Sequence, residues 1–211
     1  MFRRQASPPV MASIPDTAGT LEGLESIGRA ELAAYRRLLE GVGGSRAVLV
    51  TGSEAKTSIA SGLASAAVAG GRRAVLVECD LTRPTLAARL SLTAAPGLAD
   101  YLTYRAEAGE ILQPVVLAGP VGGRATDPMV CIVAGGATAE GAAMLASAEF
   151  GHAMEKLRSA YDIAVLDAPP LVEEEALVAT VRQVDFTLAA CRPDDLPRRL
   201  RAHVDGIVEP R

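Results

Sequence analysis

The sequence predicts an α/β domain, with a mostly parallel sheet between helical layers on both faces. Three observations lead there. Short apolar runs recur as solid blocks rather than in alternation, which means strands buried on both sides. Helical patterns separate most of these runs, the order expected of parallel strands joined by crossover helices. Polar residues with useful chemistry follow directly on three of the runs. In open parallel sheets, ligands bind at that carboxyl end.

Taken in order, residues 1–19 are rich in Pro, Ser and Thr and read as a flexible leader, leaving 20–211 as a single domain. Residues 21–42 have helical apolar spacing, stopped by Gly43-Gly44. Strands are expected at 47–50, 74–79, 115–117, 130–133, 163–167 and 186–191. Helices are expected at 57–69, 147–159, 173–182 and 196–204, and residues 119–128, "GPVGGRATDP", read as an irregular surface loop.

Composition narrows the classes. The chain has 211 residues, enough to bury a real core, and it is 49% apolar but only 3% aromatic. The core must therefore be built from Ala, Val and Leu. A net charge of −4 argues against a broad nucleic-acid surface. No apolar run approaches the roughly 20 residues that span a bilayer. "MFRRQASPPVMAS" has no apolar segment to act as a secretory signal, and its arginines are too few to anchor it to lipid. Cys79, Cys131 and Cys191 sit inside strand-like runs and read as buried, reduced thiols of a cytoplasmic protein.

Three stretches carry the chemistry. "RAVLVTGSEAKTSIASGLASAAVAGG", residues 46–71, reads as strand, phosphate-type loop and helix N-terminus. In such a loop backbone N–H groups cradle phosphate, a Lys reaches the β/γ oxygens and a Ser/Thr hydroxyl binds Mg²⁺. The nucleotide-binding candidates are thus Gly52, Ser53, Lys56, Thr57 and Ser58. "VLVECDLTRP" sets Glu78 and Asp80 at a strand end, where a carboxylate pair can hold Mg²⁺ or take a proton from an attacking hydroxyl. "YDIAVLDAPP" ends a buried run at Asp167, a Walker B-type position that orients Mg²⁺. Singly, each has a bland reading as a cap or a solvated surface. Chance rarely supplies all three in this order.

The loop is short, however. Gly52 and Lys56 enclose only Ser53, Glu54 and Ala55, where the usual pattern has five residues. Two missing residues remove up to ~7 Å of reach. Ala55 stands where a glycine would let the backbone turn, and Glu54 brings negative charge toward the phosphate position.

These stretches resemble the cytoplasmic kinase domain of bacterial tyrosine kinases (BY-kinases), which accompany polysaccharide co-polymerases in capsule and exopolysaccharide export. "AAYRRLL" is similar to the family's leading helix. "VLVECDLTRPTLAARL" is similar to its second aspartate motif, "GLADYL" follows at 97–102, and "LASAEFGHAMEKLRSAYDIAVLDAPPL" is similar to its Walker B segment. The resemblance spans about residues 31–196. It implies the deviant P-loop NTPase fold shared with ParA and MinD. It also implies Lys56, Glu78 and Asp80 as catalytic residues and Thr57, Asp80 and Asp167 as Mg²⁺ ligands. ATP or ADP with Mg²⁺ would be the cofactor if the site works, and none if it does not. The implied partner is the cytoplasmic end of a membrane-anchored co-polymerase, which would recruit the domain to the inner face of the plasma membrane without insertion.

Departures cluster at the chemistry. Glu78 replaces the usual Asp and Thr82 one of two arginines. Ala33, Arg36 and Leu39 match the leading-helix positions that assemble the family's ring, and only Arg36 keeps the pattern, so self-association by that contact is degraded. The family's tyrosine-rich tail is not found, and Tyr35, Tyr101, Tyr104 and Tyr161 all lie within the domain pattern. The last strand and adenine-contacting region are expected to be truncated after Val204. Three functions follow: a pseudo-kinase regulating a co-polymerase, an active autokinase, or a ParA/MinD-like positioning ATPase. "CDLTRP", "LDAPP" and the lack of a second lysine near the loop's start speak against the third.

Overall fold

A computed structural model describes residues 7–14, 29–116 and 128–211. The strands are β1 (Val10–Ile14), β2 (Ala47–Gly52), β3 (Ala74–Glu78), β4 (Gln113–Val115), β5 (Met129–Ile132), β6 (Ile163–Asp167), β7 (Phe186–Ala190) and β8 (Gly206–Pro210). They form one eight-stranded sheet in the order β1-β8-β7-β2-β6-β3-β5-β4. All neighbours run parallel except β4, which is antiparallel to β5. The helices are α1 (Arg29–Gly41), α2 (Lys56–Ala69), α3 (Leu86–Arg89), α4 (Leu98–Leu102), α5 (Gly141–Leu145), α6 (Ala148–Ala160) and α7 (Glu174–Val181). The expected α/β sandwich is what the chain forms.

β2 shows why the apolar blocks become central strands. All six of its residues are buried. Ala47 and Leu49 enter one core with α4, α6 and α7, while Val48 and Val50 enter the other with α1 and α2. The period-2 alternation of a strand thus feeds two cores from one apolar run.

α2 is buried along almost its whole length, between the sheet and α1. Only small side chains permit that. Gly62 takes the ring of Tyr35 from α1, and a Cβ there would lie 2.2 Å from that ring. The Tyr35 hydroxyl donates to the Ser58 carbonyl at 3.4 Å, and burial raises its pKa well above the usual tyrosine value. The three cysteines are buried and free, and burial pushes the Cys191 thiol up to about 11.

The structure corrects several expectations. Within the supposed leader, residues 10–14 form β1, which pairs in parallel with β8. β8 itself lies beyond Val204, so the last strand is present rather than truncated. Met11 seats this pair, because a Cβ on Gly206 would fall 2.1 Å from its sulfur. Residues 196–204 do not make an α-helix. Two 3₁₀ turns, Pro193–Asp195 and Arg198–His203, take their place. Pro197 caps the second of these turns. The strand expected at 115–117 is shifted to Gln113–Val115. Leu117, residues 119–127 and residues 21–28 of the leading helix lie outside the described residues. Among the described residues, no helix is long and apolar enough to cross a membrane.

One clamp closes the amino ends of the strands. Asp185 accepts from the backbone N–H groups of Arg46 (2.8 Å) and Ala47 (2.9 Å), and from Arg158 of α6 at 2.7 Å. Partial burial raises its pKa, but Arg158 and the two N–H groups outweigh that and hold it below the usual value. A depressed carboxyl stabilises the fold above its unfolded pKa of about 4, and the effect is lost as pH falls through the folded value. Asp185→Asn is therefore expected to cost about 1 kcal/mol at pH 7, solvent screening included. The gap to wild type in thermal melts should narrow below about pH 4, and a gap of equal size at pH 3 would contradict this account.

Candidate functional site

The site forms because β2, β6 and β3 are neighbours with their carboxyl ends level. Val50 and Glu78 both pair with Asp167, so the end of β6 lies between the ends of the other two. Lys56, the first residue of α2, reaches back over that end. Its Nζ lies 2.9 Å from Asp167 Oδ1 and 3.3 Å from Asp80 Oδ2. Thr57 Oγ1 donates to Asp167 Oδ2 at 2.7 Å. Asp167 is fully buried, and Lys56, Thr57 and Asp80 nearly so.

Burial sets the electrostatics. It works to lower the pKa of Lys56, but Asp167 and Asp80 outweigh it and hold the ammonium above its usual range. Burial raises Asp167, and Lys56 and Thr57 draw it only partly back. One ammonium thus faces two carboxylates in a low dielectric. Removing it would leave two buried negative charges without a cation.

The loop in front of this cluster is closed. Gly52 has φ +131°, and a Cβ there would sit 2.3 Å from the Ala190 carbonyl oxygen. The chain leaving β2 is therefore pressed against β7, with Ser53 N–H donating to that same oxygen at 2.9 Å. Lys56 N–H donates to the Ser53 carbonyl at 3.0 Å, closing a tight turn into α2. Two N–H groups that a phosphate cradle would present are thus used within the protein. The Lys56 ammonium points at carboxylates.

Not every candidate joins the cluster. The structure brings Lys56, Thr57, Asp80 and Asp167 together. Gly52 and Ser53 lie against β7, and Ser58 is buried with its hydroxyl unpartnered. Glu78 is fully buried with both carboxylate oxygens occupied: Oε1 accepts from Thr85 and Leu86 N–H groups, and Oε2 from Ala134 N–H at 2.9 Å. It fastens α3 and the end of β5 to β3. Burial raises its pKa, and these three bonds counter the rise. The sequence reading missed Glu173, which accepts from Thr82 Oγ1 (3.2 Å) and Arg83 Nη2 (3.3 Å) across the cluster's mouth. Its only signal was the acidic run after Pro170. Arg83 N–H also donates to Asp80 at 3.1 Å.

A cavity of about 610 Å³ opens beside Gly52 and Ser53, toward Leu171, Val172, Arg192 and Arg199. It has room for a ligand beyond the strand ends, and Lys56 is not part of its lining. Among the described residues, no group of three or more His, Cys, Asp or Glu side chains is placed to hold a metal. Thr57, Asp80 and Asp167 offer two carboxylates, and Lys56 already occupies both.

The chain matches no family model and no curated protein. Its fold is shared with solved tyrosine-kinase domains. The kinase domain of Escherichia coli tyrosine kinase ETK superposes with TM-score 0.79 at 18% identity, over 96% of this chain and 90% of that one. The BceF tyrosine kinase domain gives 0.75 at 20% identity, over 96% and 93%. The septum site-determining protein MinD of Pyrococcus horikoshii, solved with Mg-ADP, gives 0.51 at 16% identity over 68% and 56%.

The chain has only two lysines, Lys56 and Lys156, which makes the buried ammonium directly observable. An amine-acylating reagent followed by mass spectrometry should modify exposed Lys156 readily and spare Lys56 until the protein unfolds. Equal reaction of both would refute the buried pair. Lys56→Met should lower the unfolding free energy by about 3 kcal/mol, as loss of one partner from a buried ion pair does. A change within about 0.5 kcal/mol would mean that Lys56 behaves as a surface lysine.

Proposed function

We propose that this domain is a tyrosine-kinase-like regulator of polysaccharide export that keeps the kinase scaffold without efficient phosphoryl transfer. The observation that carries this reading is Lys56, held between Asp80 and Asp167 behind a closed turn. Phosphoryl transfer depends on positioned electrostatic stabilisation of phosphate oxygens. Here the lysine is neutralised from within and the loop backbone is turned into its own hydrogen bonds. The pairing instead stabilises the strand ends, and a scaffold can persist when its chemistry changes.

The partner in this reading is the cytoplasmic end of a membrane-anchored co-polymerase, which would bring the domain to the inner membrane face. The sequence stretches similar to BY-kinases and the likeness of fold across nearly the whole chain support it over a positioning ATPase. Arg36 and Arg37 stand exposed on α1, and Ala33 and Leu39 replace the charged partners of the ring contact, which supports action as a single copy on its partner.

The test is calorimetric titration of the whole chain with Mg·ADP and Mg·ATP. No detectable heat of binding at millimolar nucleotide is the expected outcome. Micromolar binding that is lost in Lys56→Ala would overturn the proposal. The turn must then open to admit phosphate, and an autokinase, assayed by phosphotyrosine formation, becomes the better reading.

A further inference from the structure

On the other side of the sheet from α2, a cavity of about 190 Å³ lies between α4, β5 and α6. It shares no residue with the Lys56 cluster. Its wall is almost wholly apolar, formed by Leu98, Ile111, Ile132, Ala153, Leu157 and Tyr161. α6 brings small residues to this side, Ala153 buried in the wall and Ala160, seven residues on, at the exposed rim. A chain so poor in aromatics has little to fill it.

The mouth is different. A second hollow of about 280 Å³ adjoins the cavity through Tyr101, Ala108 and Lys156, and is bordered by Glu107, Glu149 and His152. Lys156 lies over the Tyr101 ring, 5.7 Å from its centroid, and donates to the Tyr101 hydroxyl at 3.0 Å. Among the described residues, no carboxylate is within ion-pair distance of it. Its ammonium is therefore a cation at the threshold of an apolar chamber, and its bond to a neutral phenol is readily exchanged for one to an anion.

We propose that this cavity is a binding site for a small aromatic carboxylate, its ring buried and its carboxylate on Lys156. A dry cavity of about 150 Å³ accepts a benzene-sized guest, so this one admits a single ring with a short substituent. Tyr101 and Tyr161 border it and offer edge and face contacts to an aromatic guest. One ammonium matches one negative charge. The carboxylates of Glu107 and Glu149 oppose any anion at the mouth, and a doubly charged phosphate about twice as strongly as a carboxylate. The site stands independently of any nucleotide chemistry, since no lining residue touches the ion cluster.

The test is titration of the whole chain with phenylacetate, toluene and phenyl phosphate, followed by calorimetry and NMR shifts. Phenylacetate should bind saturably at one site, toluene more weakly, and phenyl phosphate at least tenfold more weakly than phenylacetate. Lys156→Met should weaken phenylacetate at least tenfold and leave toluene unchanged. Ala153→Leu, which fills the chamber, should abolish both. If thermal melting shows that variant unfolded, Ala160→Leu at the rim carries the same expectation. The proposal is overturned if neither phenylacetate nor toluene saturates, if toluene binds but phenylacetate does not, if phenyl phosphate binds as well as phenylacetate, if Lys156→Met leaves phenylacetate unaffected, or if filling the chamber changes nothing.

Discussion

A single buried ammonium between two carboxylates is the constraint on which the rest of this molecule depends. Charges in a protein interior are costly unless paired and hydrogen-bonded. Asp167 ends the strand between β2 and β3, so its charge has to be met from an element that crosses the strand ends. The first turn of α2 supplies both answers, Lys56 to one oxygen and Thr57 to the other. Asp80 then shares the same ammonium from the β3 side. The turn from β2 into α2, the depth at which α2 lies, and the course of the chain after β3 are all fixed by where that ammonium must sit.

The thinness of the side chains around α2 is the packing counterpart. A helix that carries the counter-ion must approach the sheet closely, and Gly62, Ala60, Ala64 and Ala67 allow it. Tyr35 fills the space this leaves on the outer side. The low aromatic content thus has a local meaning. On the opposite face, where α6 turns Ala153 inward, the same economy leaves an open chamber.

Much of this could be read from the amino acids, and the failures have physical causes. Blocks such as "AVLV" and "IAVLD" read as strands buried on both faces because they are short, rich in β-branched residues and flanked by helical patterns. "VMASI" is a strand only by virtue of "GIVEP", which itself lies between it and β7. Their partner residues stand about two hundred positions apart, as in the Ser13–Glu209 pair, and neither is apolar enough to declare itself. Pro197 stands at the start of the pattern at 196–204, where proline is compatible with a helix, so the residues gave no warning that the segment would form 3₁₀ turns. At the site, the residue types were legible and the directions were not. The same Lys56 could face outward to a ligand or inward to Asp167, and Glu78 outward to a metal or inward to three N–H groups. In the fold Lys56 meets Asp167 and Asp80, and Glu78 meets the N–H groups of Thr85, Leu86 and Ala134.

The pairing of β1 with β8 has a mechanical consequence. The two strands run in parallel, with Ile207 N–H bonded to the Pro9 carbonyl at one end and Arg211 N–H to the Ile14 carbonyl at the other. Tension applied through the chain before β1 and after β8 pulls these strands lengthwise past one another. The ladder is then loaded in shear, and its bonds share the force instead of opening one after another. A domain held at both flanks would transmit force along its stiffest direction.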